Sequence, residues 1–324
     1  SYLIKRLIQA TSPLLIDDLA EEIGVSRTTI NKDLKHVKDL AVEYQLCIFG
    51  KPNRGLEIIG TELNLRLFYI HHVYSYFDSA TLKKETHDFL EELYTAFKIP
   101  RKTQELLTKA ISITVARIQR KKLLLTPIDY YVNGLAQSAI MEQLLYHIEV
   151  TYQISLSQYE QDFLSFPLNT QYIDALTYQL TDVQSLQKLY QSFVKKVKDT
   201  LLVNFDEQRL FAEIQTHLKF LINRLIFHVQ ANDIFHREIQ NKYPLAFEMA
   251  KVAGDDLKNH FGCQLELSEM SYLALYFEMI LHENGSIFQN KKRRVAVVCT
   301  TGRGTAHMIK RQLKRVLGHD IEIT

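Results

Sequence analysis

Apolar residues recur every three to four positions from about residue 60 to about residue 283, and glycine and proline are rare there. This spacing predicts a succession of amphipathic α-helices, each with one apolar face against a core. The clearest example is the segment 215–225, whose apolar stripe consists of Leu218, Leu221, Ile222 and Leu225. His217 and Arg224 lie on one face of this helix, at the margin of the stripe, because seven residues make nearly two turns.

The same pattern occurs once more, 107 residues earlier, in the segment 109–118. There Arg117 occupies the position of Arg224, whereas Ala110 stands where the later segment has His217. The middle of the chain therefore contains a duplicated helix, and only its second copy has the histidine.

A second match aligns the segment 160–167 with the segment 269–276, at an offset of 109 residues. Two landmarks with nearly the same offset indicate two homologous helical domains, and the offset is too long for a solenoid repeat. We therefore predict a first helical domain over residues 63–186 and a second over residues 187–288.

A different pattern occupies residues 1–62. Short helices are predicted at 2–9 and 16–23, followed by a turn at Gly24 and a third helix that Ser26 caps. Two short β patterns follow as a hairpin. Two helices around a tight turn, with a β-hairpin behind them, are typical of a winged helix-turn-helix that binds DNA.

Positive charge is concentrated on the predicted third helix. Residues 26–38 contain four basic side chains and one acidic side chain, although basic and acidic residues balance over the domain as a whole. Such groups bond phosphates and base edges. The residues of this helix that are predicted to contact DNA are Arg27, Thr28, Thr29, Asn31, Lys32 and Lys35. Lys51 and Arg54 of the hairpin are predicted to contact the phosphate backbone; the alternative is a helical domain that packs only on protein.

The segment 289–324 has the strand–loop–helix pattern of an α/β protein. A buried strand is predicted at 295–298, a glycine-containing loop begins at Cys299, a helix follows at 306–317, and a second strand begins at Ile321. A loop of this kind directs backbone N–H groups and a helix N-terminus at an anion, so its cysteine is a candidate nucleophile with a lowered pKa. About thirty residues cannot complete such a domain, and we expect a truncated one.

Composition narrows the cellular setting. The 324 residues are 46% apolar and 23% charged, with a formal net charge of +2, so binding to nucleic acid requires a local basic patch. No apolar run approaches the roughly 20 residues that span a bilayer, and the N-terminus is not a signal peptide. Three cysteines without paired or metal-like spacing favour the reducing cytoplasm, and no metal or cofactor is predicted.

Specific motifs extend this interpretation to a family. The winged helix, which ends in Lys51-Pro52…Gly55…Gly60-Thr61-Glu62, resembles the Mga-type DNA-binding domain. The duplicated helical domain resembles the phosphotransferase-system regulation domain (PRD). The combination is similar to the bacterial operon activators of the mannitol/lichenan type (MtlR, LicR and ManR), and residues 289–324 are similar to the opening of a phosphotransferase enzyme IIB domain, with Cys299 at the phosphorylated position.

This resemblance implies a mainly α fold: an N-terminal winged helix-turn-helix, two tandem all-α helical-bundle regulation domains and a truncated α/β C-terminal fragment. In the family, each regulation domain has two histidines that accept phosphate from sugar phosphotransferase proteins. His217 matches the first of these in the second domain, with Arg224 supporting the phosphate, and Ala110 replaces it in the first domain. Pro167 and Tyr276 occupy the two later positions, each seven residues after a glutamate. The alternative for His217 is a helix-edge histidine with a hydrogen-bond partner.

The resemblance implies a cytoplasmic DNA-binding transcriptional activator of a sugar-uptake operon that is not an enzyme. Its expected partners are double-stranded operator DNA, the phosphocarriers HPr and enzyme IIA/IIB, and a second copy of the chain in a homodimer. One alternative is an RNA-binding antiterminator with the same regulation domains, and another is a phosphocarrier that acts through Cys299. Salt-dependent binding to duplex DNA separates the first interpretation from both alternatives.

Overall fold

The computed structural model describes residues 1–51, 54–74, 82–179, 183–230, 236–287, 293–295 and 321–323. Within these ranges the chain is mainly α-helical, which confirms the predicted fold class. Among the same residues, none of the helices combines the length and the apolarity that crossing a bilayer requires.

The N-terminal part is a winged helix-turn-helix. Its elements are α1 (Tyr2–Gln9), α2 (Ile16–Ile23), α3 (Arg27–Glu43), β1 (Cys47–Lys51) and β2 (Gly55–Ile59). Gly24 ends α2 with a left-handed φ of 74°, and the Ser26 hydroxyl accepts a hydrogen bond from the Thr29 N–H at the start of α3. The two strands form an antiparallel hairpin. Local turn and cap chemistry therefore fixes α2 and α3 where the sequence predicted them.

The hairpin forms a backbone bridge with the segment between α1 and α2. Leu14 and Leu56 exchange two backbone hydrogen bonds, at 2.9 and 2.7 Å. Gly55, next to this contact, has a φ of 92°, and a Cβ atom there would lie 2.7 Å from the Leu14 carbonyl oxygen. Glycine is required at this position by both its conformation and the close approach.

Helix α4 (Glu62–His72) follows, with the Thr61 hydroxyl accepting from the Asn64 N–H at its N-terminus. Its buried side chains belong to the same apolar cluster as those of α1–α3 and the wing. This cluster also takes in Ala110 and, further along the chain, Phe166 and Phe227. The core of the winged helix-turn-helix is thus continuous with the helical parts that follow.

Two helical modules come next. The first contains α5 (Lys84–Ala96), α6 (Arg101–Gln119), α7 (Ala139–Tyr152), α8 (Gln158–Ser165) and the 3-10 helix Phe166–Asn169. The second contains α9 (Val183–Leu201), α10 (Glu207–Ile226), α11 (His236–Lys242), α12 (Pro244–Phe261) and α13 (Leu267–Ile287). Each module has an apolar cluster of its own. The exact ends of the domains stay a prediction.

The backbone repeats with the same offsets as the sequence. Lys121 and His228, each four residues after the shared arginine, both have a left-handed φ, at 58° and 52°, and lie 107 positions apart. Gln153 and Gly262 end α7 and α12 in the same conformation, 109 positions apart. The modules therefore share the geometry that terminates their matched helices.

Within the C-terminal segment 289–324 the structure describes two short strands. β3 (Arg293–Val295) and β4 (Ile321–Ile323) pair in parallel, as a strand–loop–helix–strand unit requires. The strand expected at 321–323 is confirmed, whereas β3 begins two residues before the predicted start at Val295. Cys299, its loop and the predicted helix at 306–317 lie outside the described residues.

Candidate functional site

His217 lies near the middle of α10, at the edge of its buried face. The carboxylate of Asp206 caps this helix by accepting from the Arg209 N–H, and its apolar stripe packs in the core of the second module. The His217 side chain is 18% exposed. It therefore occupies the boundary between core and solvent that the periodicity predicted.

Arg224, two turns later, forms a buried ion pair. Its Nη2 donates to Glu269 Oε2 on α13 at 2.8 Å, and its Nε donates to the other carboxylate oxygen. The remaining nitrogen, Nη1, donates to the Thr170 carbonyl of the first module at 2.7 Å. One guanidinium therefore connects two helices of the second module to the first module.

The imidazole of His217 lies beside this ion pair without joining it. Its Nε2 is 3.9 Å from Glu269 Oε2, which is too long for a hydrogen bond, and among the described residues this buried nitrogen has no hydrogen-bond partner. Burial, together with the smaller effect of Arg224, lowers the His217 pKa to about 4 against the opposing effect of Glu269. At neutral pH the ring is therefore uncharged, and a neutral imidazole has the lone pair that a nucleophile needs.

A cavity of about 340 Å³ opens next to His217 between the two modules. Its polar wall from the first module includes Lys102, Thr103 and Gln171, while Arg224 lies on the side of the second module. The cavity offers a phosphoryl group room beside the imidazole, with cationic side chains at its edges.

Two tyrosines of α13 face the His217 ring. The ring centroids of Tyr272 and Tyr276 lie 5.2 and 5.5 Å from the centroid of His217. Burial raises the pKa of Tyr276, so its hydroxyl stays protonated. Tyr276, at the position of the later family histidine, thus lies next to His217 and carries a phenol instead of an imidazole.

The corresponding positions of the first module offer no nucleophile. Ala110 is fully buried in the apolar cluster shared with the winged helix-turn-helix, and Pro167 is buried in the 3-10 helix. Neither side chain has an atom that could accept a phosphoryl group.

The predicted DNA-contacting residues of α3 are all exposed, although several have partners within the chain. Arg27 forms an ion pair with Asp17 at 2.9 Å, and both side chains are more than 60% exposed. The Asn31 amide donates to the Arg27 carbonyl, and the Thr29 hydroxyl bonds that of Ser26. An exposed ion pair contributes at most about 1 kcal/mol, so DNA phosphates can displace Asp17 from Arg27.

The wing residues are placed at the tip of the hairpin. Arg54 is exposed in the turn before β2. Lys51 is the last residue of β1, and its side chain lies outside the described part of the structure. The contacts of Lys51 and Arg54 with DNA stay a prediction, as do those of α3.

Comparison with known proteins finds matches to domain families and to bacterial regulators. Residues 1–73 match the Mga helix-turn-helix domain, and residues 191–279 match the PRD domain. The chain is similar to the probable licABCH operon regulator of Bacillus subtilis, with 24% identity over all of this chain and 54% of the relative. It is also similar to the transcriptional regulator ManR of the same organism, with 20% identity over 95% of this chain and 50% of the relative. The matched domains and these relatives support a PRD-containing regulator of the LicR and ManR type.

The matched PRD contains His217, Arg224, Glu269 and Tyr276, so the buried ion pair and its neighbouring histidine are features of this domain. The Mga match extends through α4, the helix whose side chains share the core of the winged helix. The chain spans about half the length of the curated relatives it matches.

Sequence reasoning missed two buried polar residues of the PRD that fasten it to the first module. The Asn223 amide donates to the carbonyls of Val132 and Asn169, and its oxygen accepts from the Val132 N–H. Lys219 is almost fully buried with its ammonium 4.9 Å from the centre of the Tyr178 ring, and burial lowers its pKa to about 8. The sequence signal that could have indicated these two buried residues was their position beside the apolar stripe of α10.

A cluster of histidines joins the Mga-type domain to the end of α10. His71 donates from Nε2 to the Phe227 carbonyl at 3.0 Å, and His228 stacks on Tyr44 with ring centroids 4.3 Å apart. Burial lowers the pKa of His71 to about 4, and it also lowers the pKa values of His72 and His228. The contact between these domains is therefore built from uncharged imidazoles.

These lowered pKa values predict a loss of stability on acidification. His71 and His217 titrate at about 4 in the folded chain and at their ordinary value of about 6.5 when unfolded. Between these values the unfolded chain binds more protons, so each histidine removes up to about 1.4 kcal/mol of stability per pH unit as the pH falls. Urea unfolding, followed by circular dichroism between about pH 7 and about pH 5, measures this slope. A His71→Asn/His217→Asn variant should have a shallower slope, and equal slopes would contradict the assignment.

Proposed function

We propose that this chain is the DNA-binding and sensing part of a transcriptional activator of a sugar-uptake operon, switched by phosphorylation of His217. The observation that supports this best is the uncharged His217 imidazole beside the Arg224–Glu269 pair, in a cavity between the PRD and the first module. The same chain has a winged helix with an exposed basic α3. Its relatives are named as an operon regulator and a transcriptional regulator, which agrees with this role.

A phosphoryl group on His217 would disturb the ion pair beside it. It adds nearly two negative charges within a few ångströms of the Glu269 carboxylate, which repels it, and of the Arg224 guanidinium, which attracts it. Arg224 already uses one N–H of each of its three nitrogens on Glu269 and on the Thr170 carbonyl. A phosphoryl group attracts the same guanidinium and therefore competes with the bonds within the pair and between the modules.

The end of α10 offers a route from this site to the DNA-binding domain. Phe227 follows α10 directly, and its carbonyl holds His71 of α4, while its ring stacks on Phe166 at 4.1 Å. His228 stacks on Tyr44 at the end of α3. A shift of α10 relative to the first module would therefore change the support of the helix that contacts DNA.

The remaining roles follow the family resemblance. We propose a Mga-type domain that begins at residue 1 and includes α4, because its core takes in side chains of that helix, so its end lies beyond the predicted residue 62. Regulation domains over the remainder of 63–186 and over 187–288 follow, and the start of an enzyme IIB-like domain lies over 289–324. The proposed partners are operator DNA, HPr, enzyme IIA/IIB and a second copy of the chain. Cys299 is proposed as a second phosphorylated residue.

Phosphate transfer in vitro tests the proposal. The full chain is incubated with phosphoenolpyruvate, enzyme I and HPr, with and without a IIB partner, and mapped by mass spectrometry under conditions that preserve phosphohistidine. Phosphate is expected on His217 and is lost in His217→Ala, while His282→Ala, an exposed histidine of α13, retains it. An unphosphorylated wild-type chain that still binds duplex DNA would overturn the sensing role. Binding that does not weaken with salt would overturn the DNA-binding role.

A further inference from the structure

The first module contains the counterparts of the Arg224–Glu269 pair. Arg117 and Arg224 each lie four residues before a left-handed residue that follows their helix. Glu160 is the third residue of α8, and Glu269 is the third residue of α13. The two pairs are therefore equivalent in both sequence offset and backbone position.

In the first module these two side chains have different ion-pair partners, both from α4. Arg117 bonds the two carboxylate oxygens of Glu62 through Nε and Nη2, at 2.7 and 2.6 Å. Glu160 bonds both terminal nitrogens of Arg66, one of them at 2.8 Å. Glu62 and Arg66 also bond each other at 3.0 Å, one helical turn apart. The Glu62–Arg66 ion pair of α4 thus lies between Arg117 and Glu160.

We infer that the degenerate regulatory site of the first module is a docking site for the DNA-binding domain, in which the Glu62 carboxylate gives Arg117 the anion that a phosphoryl group would otherwise supply. A guanidinium bonds a carboxylate and a phosphate with the same two-pronged geometry. The small side chain of Ala110 lets the apolar cluster of α1 and α4 close over the position of the absent histidine. The reference to phosphate rests on the proposed function, whereas the docking does not.

Arg117 also fixes a second element of the DNA-binding domain. Its Nη1 donates to the carbonyl of Ile8, in the last turn of α1, at 3.0 Å. Carbonyls in the last turn of a helix have no partner within the helix, and a cation there is stabilising. One guanidinium of the first module therefore holds the end of α1 and the start of α4 together. The first module thus holds the DNA-binding domain constantly. The contact that phosphorylation changes is confined to the second module.

Hydrogen exchange of the whole 324-residue chain tests this inference through Glu62→Gln, which keeps the size of the side chain and removes its charge. Amides in the last turn of α1 and in α4 should exchange roughly tenfold to a hundredfold faster than in the wild type, because a charged hydrogen bond in a buried site is lost. Peptides of α12 and α13 should exchange at the wild-type rate. Glu92→Gln, which removes an equal charge from an exposed position on α5, is the matched control and should change none of these rates.

A second variant covers the case in which Glu62→Gln fails to fold. Arg117→Lys keeps the positive charge but cannot bond Glu62 and the Ile8 carbonyl together, and it should loosen the same two segments. Unchanged exchange at α1 and α4 in these variants, or faster exchange spread evenly over the chain, would overturn the docking role. Phosphorylation of His217 should be unaffected by either change. If the wild-type chain were not phosphorylated on His217, that result would count against the proposed function but would not affect the docking result.

Discussion

Replacing Arg66 by alanine is expected to lower the free energy of unfolding of the N-terminal half by about 3–5 kcal/mol. The Arg66 side chain is fully buried and bonds Glu62, Glu160 and the Lys122 carbonyl. Its removal leaves the 1% exposed Glu160 carboxylate without its cation and opens a cavity at the junction of α4, α6 and α8. Both losses act on the folded state alone, so they add to a large destabilisation.

Urea unfolding followed by circular dichroism measures this loss as an earlier transition. Arg101→Ala is the matched control, because its ion pair with Glu105 is on the surface with Arg101 90% exposed, and its effect should stay within about 0.5 kcal/mol. Replacing both Arg66 and Glu160 by methionine should cost less than removing Arg66 alone, since no unpaired charge is left. A loss of the size of the surface control would show that the buried network contributes little.

The winged helix was largely predictable from sequence because its signals are local. Gly24 and Ser26 specify a turn and a cap within a few residues of where they act, and the ends of α1 and α2 fall where they were predicted. The docking of α4 was not predictable in this way. Arg117 finds its partners 55 and 109 positions away, and no periodicity indicates which carboxylate a buried arginine will bond.

The candidate site likewise has features that were predictable from the sequence and features that were not. The position of His217 at the edge of the apolar stripe and its distance of two turns from Arg224 follow from helix geometry alone. The cavity wall and the bond from Arg224 to the Thr170 carbonyl arise from packing between two modules, which the sequence of either module does not specify. Glu269 was recognised only as a landmark of the repeat, and the structure gives it a partner in Arg224.

The Lys32→Ala/Lys35→Ala variant is expected to bind operator DNA about tenfold to a hundredfold more weakly at moderate salt. Both lysines are exposed on α3, and their removal should reduce the slope of log affinity against log salt by about two, since each phosphate contact releases about one counterion. Lys84→Ala/Lys251→Ala removes the same charge from exposed positions on the helical modules and should leave affinity and slope nearly unchanged.

A substitution that strengthens DNA binding also tests the role of α3. Asp17→Asn removes the carboxylate that pairs with Arg27 and should tighten binding several-fold, because Arg27 then reaches a phosphate without giving up an ion pair. Fluorescence anisotropy with a labelled duplex, titrated at several salt concentrations, measures all of these variants. If the lysine pair and the control lost affinity equally, the attraction would come from the charge of the whole chain and α3 would not be the contacting helix. If only the lysine pair lost affinity while Asp17→Asn gained it, the basic face of α3 would be the surface that meets the DNA backbone.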